Sequence, residues 1–300
     1  MKSLFIIIAM AAMLTACGHR ASTDNSEDAD SVSVDTVEAF KVDSIGLERK
    51  DSTAEVFVYV DWPVDGDEIL VKSIKKYLCE ELAARPNQEE QPKANYTDDG
   101  KKAVSETMKE MYTSLSEDWK DMREEGYGGE TPHSYYLNVF VVENNDHYIT
   151  YISNSEGYMG GAHGFAICTG MTFNKKTGRR IGYRTEYDAK KETYIVKEQT
   201  LFKDVDSAPF RKIIKEGVRS YFKEYESVRT DAELKDLLLG VDNVNRIPLP
   251  STPPYFTKQG LYFGYQQYEI APYAAGMPGF IVPYDKIRPY LTEEAAALIP

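Results

Sequence analysis

Apolar residues recur at every fourth position between Asp67 and Pro86. One face of an α-helix repeats with this period, whereas the side chains of a strand alternate every two residues. Aspartate is a common N-terminal cap and proline ends helices, so the segment predicts one helix between these two residues. Its predicted buried stripe consists of Leu70, Ile74, Leu78 and Leu82.

Two longer segments show a similar periodicity. The first precedes a glycine-rich stretch that begins at Gly126, and the second follows residue 209. Methionine and aromatic side chains at this spacing are typical of a helix face that packs into a core. The two predicted stripes are Val104, Met108, Met111, Tyr112, Leu115, Trp119 and Met122, and Phe210, Ile213, Ile214, Val218, Tyr221, Phe222 and Tyr225.

Runs of β-branched and aromatic residues predict strands in the rest of the chain. Pro63 ends the first of these runs, and Asn144-Asn145-Asp146 joins the second and third as a hairpin. The fifth run is expected to continue the sheet that the earlier runs form. The predicted strands are 55–62, 134–143, 147–153, 165–173, 194–201, 261–265 and 280–283.

The first residues have the pattern of an export signal. Lys2 is followed by an apolar stretch over residues 4–14, too short to span a bilayer comfortably, and then by Leu14-Thr15-Ala16-Cys17. These last four residues resemble the lipobox of bacterial lipoproteins. The resemblance implies that residues 1–16 are a signal peptide and that lipid on Cys17 anchors the chain to a membrane. We therefore expect an extracytoplasmic place in the cell envelope, either periplasmic or on the cell surface.

Residues 17–50 are rich in Ser, Asp, Glu and Thr and poor in aromatic side chains. A segment of this composition buries too little apolar surface to fold alone. The composition predicts a lipidated, flexible tether over residues 17–50 and a folded part that begins at residue 51.

The chain is acidic, with a formal net charge of -13. This charge argues against a nucleic-acid partner, which needs a basic face, and is compatible with attraction to basic proteins.

Apart from Cys17, the sequence contains Cys79 and Cys168. One disulfide is therefore arithmetically possible in an oxidising compartment, and two free thiols are the alternative.

The histidines and cysteines do not show the spacing of a metal site. The histidines are His19, His133, His147 and His163. The sequence also lacks a Gly-x-Ser-x-Gly elbow and a phosphate-binding loop. We expect no metal and no cofactor, and the sequence assigns no catalytic residue, so it favours a binding protein over an enzyme.

Four short motifs follow one another in a distinctive order. They are Tyr158-Met159-Gly160-Gly161-Ala162-His163-Gly164, Lys176-Thr177-Gly178, Leu201-Phe202-Lys203-Asp204 and Tyr268-Glu269-Ile270-Ala271-Pro272-Tyr273-Ala274-Ala275-Gly276. Together they resemble the extracytoplasmic family of unknown function that forms the outer part of RsiV-type anti-sigma factors and accompanies PdaC-type peptidoglycan deacetylases. The resemblance covers roughly residues 54–290, nearly the whole predicted folded part.

The resemblance implies an α+β fold, with an antiparallel sheet and packed amphipathic helices, in two consecutive subdomains at 51–164 and 165–300. The segment around His163 would lie near their junction. The sigma-binding segment and transmembrane helix of the RsiV type and the catalytic domain of the PdaC type have no counterpart in the sequence. The resemblance therefore implies an extracytoplasmic recognition module, and the RsiV branch suggests lysozyme as a partner.

The first and last motifs contain the candidate ligand-binding residues. The glycines around His163 allow close approach of backbone to a ligand, or simply a tight turn. Tyrosine combines a broad apolar face with a polar tip, which suits a glycan or a protein interface, but it also fits a half-buried sheet. The candidates are Tyr158, Gly160, Gly161, His163, Tyr268 and Tyr273.

These observations favour a non-catalytic recognition module for peptidoglycan or for a lysozyme-like muramidase. Acidic charge would accelerate capture of a cationic muramidase, and salt should weaken that effect. Two alternatives stay open. One is a peptidoglycan-modifying enzyme that uses His163 and a carboxylate, and the other is an envelope scaffold protein that binds through a sheet edge or the tyrosine-rich loop.

Overall fold

A computed structural model describes residues 39–86, 92–127, 129–188, 193–223 and 228–299. The predicted signal peptide, the lipidated Cys17 and most of the predicted tether lie outside these residues, as does Tyr225 of the third helical stripe. The fold is α+β, as expected, with mostly antiparallel sheets and several helices.

The three predicted helices are confirmed. The carboxylate of Asp67 accepts a hydrogen bond from the Leu70 amide at 2.9 Å, so the cap predicted from the sequence starts the first helix. The stripe residues from Leu70 to Leu82 are buried. The helices are α1 (Glu68–Ala83), α2 (Gly100–Glu124), α3 (Ala208–Lys223), α4 (Asp231–Leu237), α5 (Tyr284–Ile287) and α6 (Glu293–Ala296).

A six-stranded sheet forms the N-terminal half of the described chain, with its strands in sequence order. Neighbouring strands are antiparallel except for the second and third, which are parallel because α1 and α2 form the crossover between them. The strands are β1 (Lys41–Lys50), β2 (Ala54–Asp65), β3 (His133–Asn144), β4 (Tyr148–Tyr158), β5 (Phe165–Asn174) and β6 (Arg180–Ile181).

The predicted boundary of the flexible tether, at residue 50, lies too far along the chain. Residues 41–50 form β1, which pairs with β2 along its whole length. Only Val42, Ile45 and Leu47 of this edge strand are half-buried, and the residues around them are exposed. An edge strand with one solvated face needs few apolar residues, which is why its composition resembles that of a tether.

The remaining strands form two smaller sheets. The segment predicted at 194–201 does not continue the large sheet, because its strand pairs in a separate hairpin instead. Strand propensity alone does not choose the partner of a strand, so this expectation was wrong. The strands are β7 (Arg184–Asp188), β8 (Thr193–Lys197), β9 (Tyr255–Thr257), β10 (Gly260–Gly264) and β11 (Gly279–Val282), and the last three pair in the order β11-β10-β9.

The two faces of β4 and β5 pack against different elements. The Phe173 ring contacts Tyr77 of α1 in an edge-to-face pair, with centroids 5.7 Å apart. Thr172 points to the opposite face, where its hydroxyl accepts a hydrogen bond from the Phe256 amide at 3.0 Å. Two hydrophobic cores result, one between the large sheet and α1–α2, the other around α3 and β9–β11.

Residues 37–300 form one compact unit that contains both cores and all three sheets. The large sheet itself includes β5 and β6, which follow residue 164. The division into subdomains at 51–164 and 165–300 stays a prediction. Within the described ranges, no helix has the length and apolar character needed to cross a bilayer.

Candidate ligand-binding site

The loop between β4 and β5 presents His163. Gly160 and Gly161 turn the chain with φ angles of 85° and 86°, a region that side-chain-bearing residues rarely adopt. The Tyr158 hydroxyl donates a hydrogen bond to the Gly161 carbonyl at 2.9 Å, and the hydroxyl therefore holds the loop. Both glycines therefore form the turn, and whether they also approach a ligand stays a prediction.

A second loop, between β10 and β11, docks on the edge of β5. The side-chain amide of Gln266 accepts a hydrogen bond from the Cys168 amide at 3.1 Å and donates one to the Cys168 carbonyl at 2.7 Å. Gln267 accepts one from the Ala166 amide at 3.0 Å. These side chains make the hydrogen bonds that a neighbouring strand would make, and they fix the position of the residue that follows, Tyr268.

The turn after Gln267 is unusual because Tyr268 has a φ of 64° without being glycine. The Glu269 carboxylate stabilises this turn, since it accepts hydrogen bonds from the Gln266 amide at 2.7 Å and the Ser251 amide at 2.5 Å. Burial raises the pKa of the Glu269 carboxyl. Further along, the Tyr221 hydroxyl of α3 donates to the Ala275 carbonyl at 2.6 Å and ties down the short 3₁₀ turn that contains Tyr273.

The two loops meet at three aromatic side chains, His163, Tyr268 and Tyr273, which we call the stacking site. The imidazole of His163 lies on the Tyr273 ring, with centroids 3.9 Å apart and planes 22° from parallel. Its Nε2 atom lies 3.1 Å from the Tyr268 hydroxyl, and the two tyrosine rings are 5.8 Å apart. The His163 ring therefore covers one face of the Tyr273 ring, and the Tyr268 ring lies beside both, so that the three rings form one aromatic cluster.

The hydrogen bonds define the polarity of this aromatic cluster. The Nδ1 atom of His163 lies 2.8 Å from the Gly164 carbonyl, which only accepts, so Nδ1 carries the proton. In the neutral ring Nε2 then accepts from the Tyr268 hydroxyl, whose oxygen keeps lone pairs for an outside donor. Tyr268 is 55% exposed and His163 is also exposed, so the surface faces solvent.

A buried histidine lies beneath the same loop. His133, at the start of β3, is 3% exposed, and its ring edge faces the Tyr158 ring with centroids 6.4 Å apart. Its Nδ1 atom is buried and makes no hydrogen bond within the described part of the chain. Burial lowers the pKa of His133, while Asp118 opposes that shift.

All six candidate residues of the sequence therefore lie in or directly beside one region, with Tyr158, Gly160 and Gly161 supporting the stacking site. Whether they bind a ligand stays a prediction. Sequence reasoning missed Gln266, Gln267 and His133 and gave Glu269 no role. The role of Gln266 and Gln267 could not be predicted, because no sequence pattern indicates that two side-chain amides take the place of a neighbouring strand.

Cys79 and Cys168 are both free thiols, which resolves the choice that the sequence left open. Burial raises the pKa of both. In the described ranges, no group of three or more His, Cys, Asp or Glu side chains has the arrangement of a metal site.

Comparison with known proteins finds one family model that matches the C-terminal part of the chain. Residues 199–285 match the family model described as a protein of unknown function, DUF3298. This segment includes Tyr268 and Tyr273 of the stacking site. No curated protein is similar to the chain in sequence.

Two crystal structures share the fold. A DUF3298 family member from Bacteroides fragilis is 18% identical, with a TM-score of 0.61, and the alignment covers 86% of this chain and 96% of that protein. A DUF3298 family protein from Pseudomonas aeruginosa is 14% identical, with a TM-score of 0.55, and the alignment covers 87% and 97% of the two chains. At these sequence identities, the comparison shows that the three proteins share a fold.

Proposed function

We propose that this protein is a non-catalytic recognition module of the bacterial cell envelope that binds the glycan of peptidoglycan at the stacking site. The observation that carries the proposal is the solvent-facing surface of His163, Tyr268 and Tyr273, whose rings are fixed by hydrogen bonds and stacking. Rigid aromatic faces with polar tips provide apolar contact area together with hydrogen bonding, the combination that a sugar ring requires.

The location is part of the same proposal. The lipobox-like segment ending at Cys17 supports export and a lipid anchor, which would hold the site near the cell wall. The motifs that contain His163 and Tyr268 are also those that resemble the extracytoplasmic domains of RsiV-type and PdaC-type proteins. Their convergence on one surface supports a shared recognition role.

An enzymatic role for His163 has less support. A general base needs an orienting partner and access to the proton that it removes. The partners of His163 are the Gly164 carbonyl and the Tyr268 phenol rather than a carboxylate, and its Nε2 lone pair is engaged by that phenol.

A second candidate ligand is a cationic, lysozyme-like muramidase, which the net charge of -13 favours. Long-range attraction between an acidic domain and a basic enzyme raises the association rate and is screened by salt. An envelope scaffold role would use the same tyrosines, the exposed Tyr268 above all, against another protein.

The test is sedimentation of residues 37–300 with insoluble peptidoglycan. We expect the wild-type domain to sediment and the variants Tyr268→Ala and Tyr273→Ala to bind at least about tenfold more weakly, which corresponds to ~1.4 kcal/mol. Tyr127→Ala is the matched control, since this tyrosine is 67% exposed and lies outside the site.

Equal sedimentation of the site variants and the control would overturn the proposal. The same proteins are passed over immobilised hen lysozyme at low and moderate salt. Binding to lysozyme that fades with salt, without binding to peptidoglycan, would favour the muramidase candidate instead, and binding to neither would favour the scaffold role.

A further inference from the structure

A cavity of about 430 Å³ lies beside α1 and shares no residue with the stacking site. Its volume falls within the range of small-molecule sites. The apolar part of its lining includes Ile69, Ala94 and Tyr96, and Cys79 also borders it. The proposed glycan recognition makes no use of this cavity.

Large apolar side chains at the mouth of the cavity are open to solvent. Ile69 is 65% exposed and Tyr96 is 46% exposed. The Tyr96 ring is nevertheless held in place, because its hydroxyl donates to the Asp98 carboxylate at 2.7 Å, and Lys75 binds the same carboxylate at 3.1 Å. A preformed wall with exposed apolar surface gains free energy when a ligand covers it.

The rim of the cavity is positive although the chain is strongly acidic. Lys72 and Lys76 lie one helical turn apart on α1, line the cavity, and form no ion pair within the described residues. The carboxylate of Glu80, which also lines the cavity, is bound to Arg180 at 2.6 Å. Of the charged groups that line the cavity, Glu80 is thus neutralised by Arg180 and the two lysines remain, with Asp98 beside the mouth shared between Lys72 and Lys75.

We infer that this cavity binds an amphiphilic anion, with its hydrocarbon part against Ile69, Ala94 and Tyr96 and its carboxylate or phosphate head beside Lys72 and Lys76. Neither half of such a ligand suffices alone. A short anion would lack the apolar contact, and an uncharged amphiphile would leave the two ammonium groups without a partner. Fatty acids and acidic membrane lipids share this chemistry.

The first experiment is calorimetric titration of residues 37–300 with decanoate, kept below its micelle concentration. We expect one decanoate per protein, and at least about tenfold weaker binding of acetate and of the uncharged amphiphile octyl glucoside. No heat with decanoate, or equal affinity for octyl glucoside, would overturn the inference.

Two variants locate the site. The double variant Lys72→Gln/Lys76→Gln should weaken decanoate binding about tenfold, whereas the control Lys101→Gln/Lys109→Gln, which removes two exposed lysines from α2, should bind like the wild type. Ser73→Phe should abolish binding by filling the cavity while the lysines remain. Circular dichroism and thermal unfolding show whether each variant is folded, and equal loss in the control pair would contradict the site.

Vesicles identify the source of the ligand. If vesicles of phosphatidylglycerol bind the wild type but not the lysine variant, and vesicles of phosphatidylcholine bind neither, the natural ligand is an acidic membrane lipid. If decanoate binds and no vesicle does, it is a free amphiphile. Peptidoglycan sedimentation of the lysine variant should be unchanged, so this site can fail without affecting the glycan proposal.

Discussion

The Nε2 atom of His163 lies 3.1 Å from the hydroxyl oxygen of Tyr268, and this contact joins two loops that are 105 residues apart in the sequence. One loop belongs to the large sheet, and the other connects two strands of the small sheet. The stacking site therefore exists only when both parts of the fold are formed and docked.

Tyr268→Phe should weaken peptidoglycan binding without affecting the fold. The ring remains, but the hydrogen bond to His163 and the outward-facing oxygen are lost. A net hydrogen bond contributes about 0.5–1.5 kcal/mol, so the dissociation constant should rise roughly twofold to tenfold. Sedimentation isotherms measure the change, with Tyr127→Phe as the control. Unchanged affinity would show that the hydroxyl has no part in binding.

Gly160→Ala should destabilise the protein more than Gly161→Ala. Both residues have positive φ, for which alanine costs about 1–2 kcal/mol. A Cβ atom at Gly160 would also lie 2.8 Å from the Met122 methyl and 3.4 Å from Nε2 of His133, whereas a Cβ at Gly161 meets nothing within 4 Å. Because the Met122 methyl ends a flexible side chain that can shift, urea unfolding should show a difference below about 1 kcal/mol between the two variants. Equal losses would mean that the Gly160 contact relaxes freely.

His133 should make the protein less stable in mild acid. Burial lowers its pKa, so the folded state binds a proton more weakly than the unfolded state does. The contribution of neutral His133 to stability is fully present above pH 6.5, the pKa of the unfolded state. It is lost as the pH falls below 6.5 toward the lower pKa of the folded state.

The variant His133→Phe tests whether His133 causes the loss of stability in acid, because it keeps a ring and removes the titrating nitrogen. Between about pH 7 and pH 5 its free energy of unfolding should fall less steeply than that of the wild type. Tyr127→Phe, an exposed position outside the site that loses no group titrating in this pH range, should keep the wild-type slope. If all three slopes agree, the acid sensitivity comes from other groups.

Glu269→Gln should destabilise the loop that carries Tyr268. The carboxylate accepts one amide hydrogen bond on each oxygen, and glutamine has only one oxygen to offer. One amide loses its acceptor, at a cost of about 1–3 kcal/mol. Chemical denaturation measures the loss, and Glu117→Gln on the exposed face of α2 serves as the control. A neutral result would indicate that water replaces the missing acceptor.

The sequence predicted those elements whose signals are local. The Asp67 cap, the stripe of α1 and the hairpin of β3 and β4 depend on residues within a few positions of one another. The sequence-based predictions were wrong where the structure of a segment depends on the strand with which it pairs. β1 is ordered because β2 pairs with it. β8 lies outside the large sheet because it pairs with β7 instead.

The stacking site shows the same limit. Its residues were identified as candidates from two separate motifs, but their contact depends on the docking of the small sheet, which no local pattern describes. Tyr268 at a positive φ is equally unpredictable, because tyrosine has no preference for that conformation and only the bonds from Gln266 and Glu269 explain it.

The pairing of Gln266 with Cys168 also affects how the molecule behaves among its own copies. A bare strand edge is a template on which a second chain can add a strand and begin aggregation. Here one side-chain amide occupies both the donor and the acceptor of Cys168, and Gln267 occupies the donor of Ala166. This stretch of β5 offers no open ladder to another molecule, so the loop that presents Tyr268 also protects the sheet from self-association.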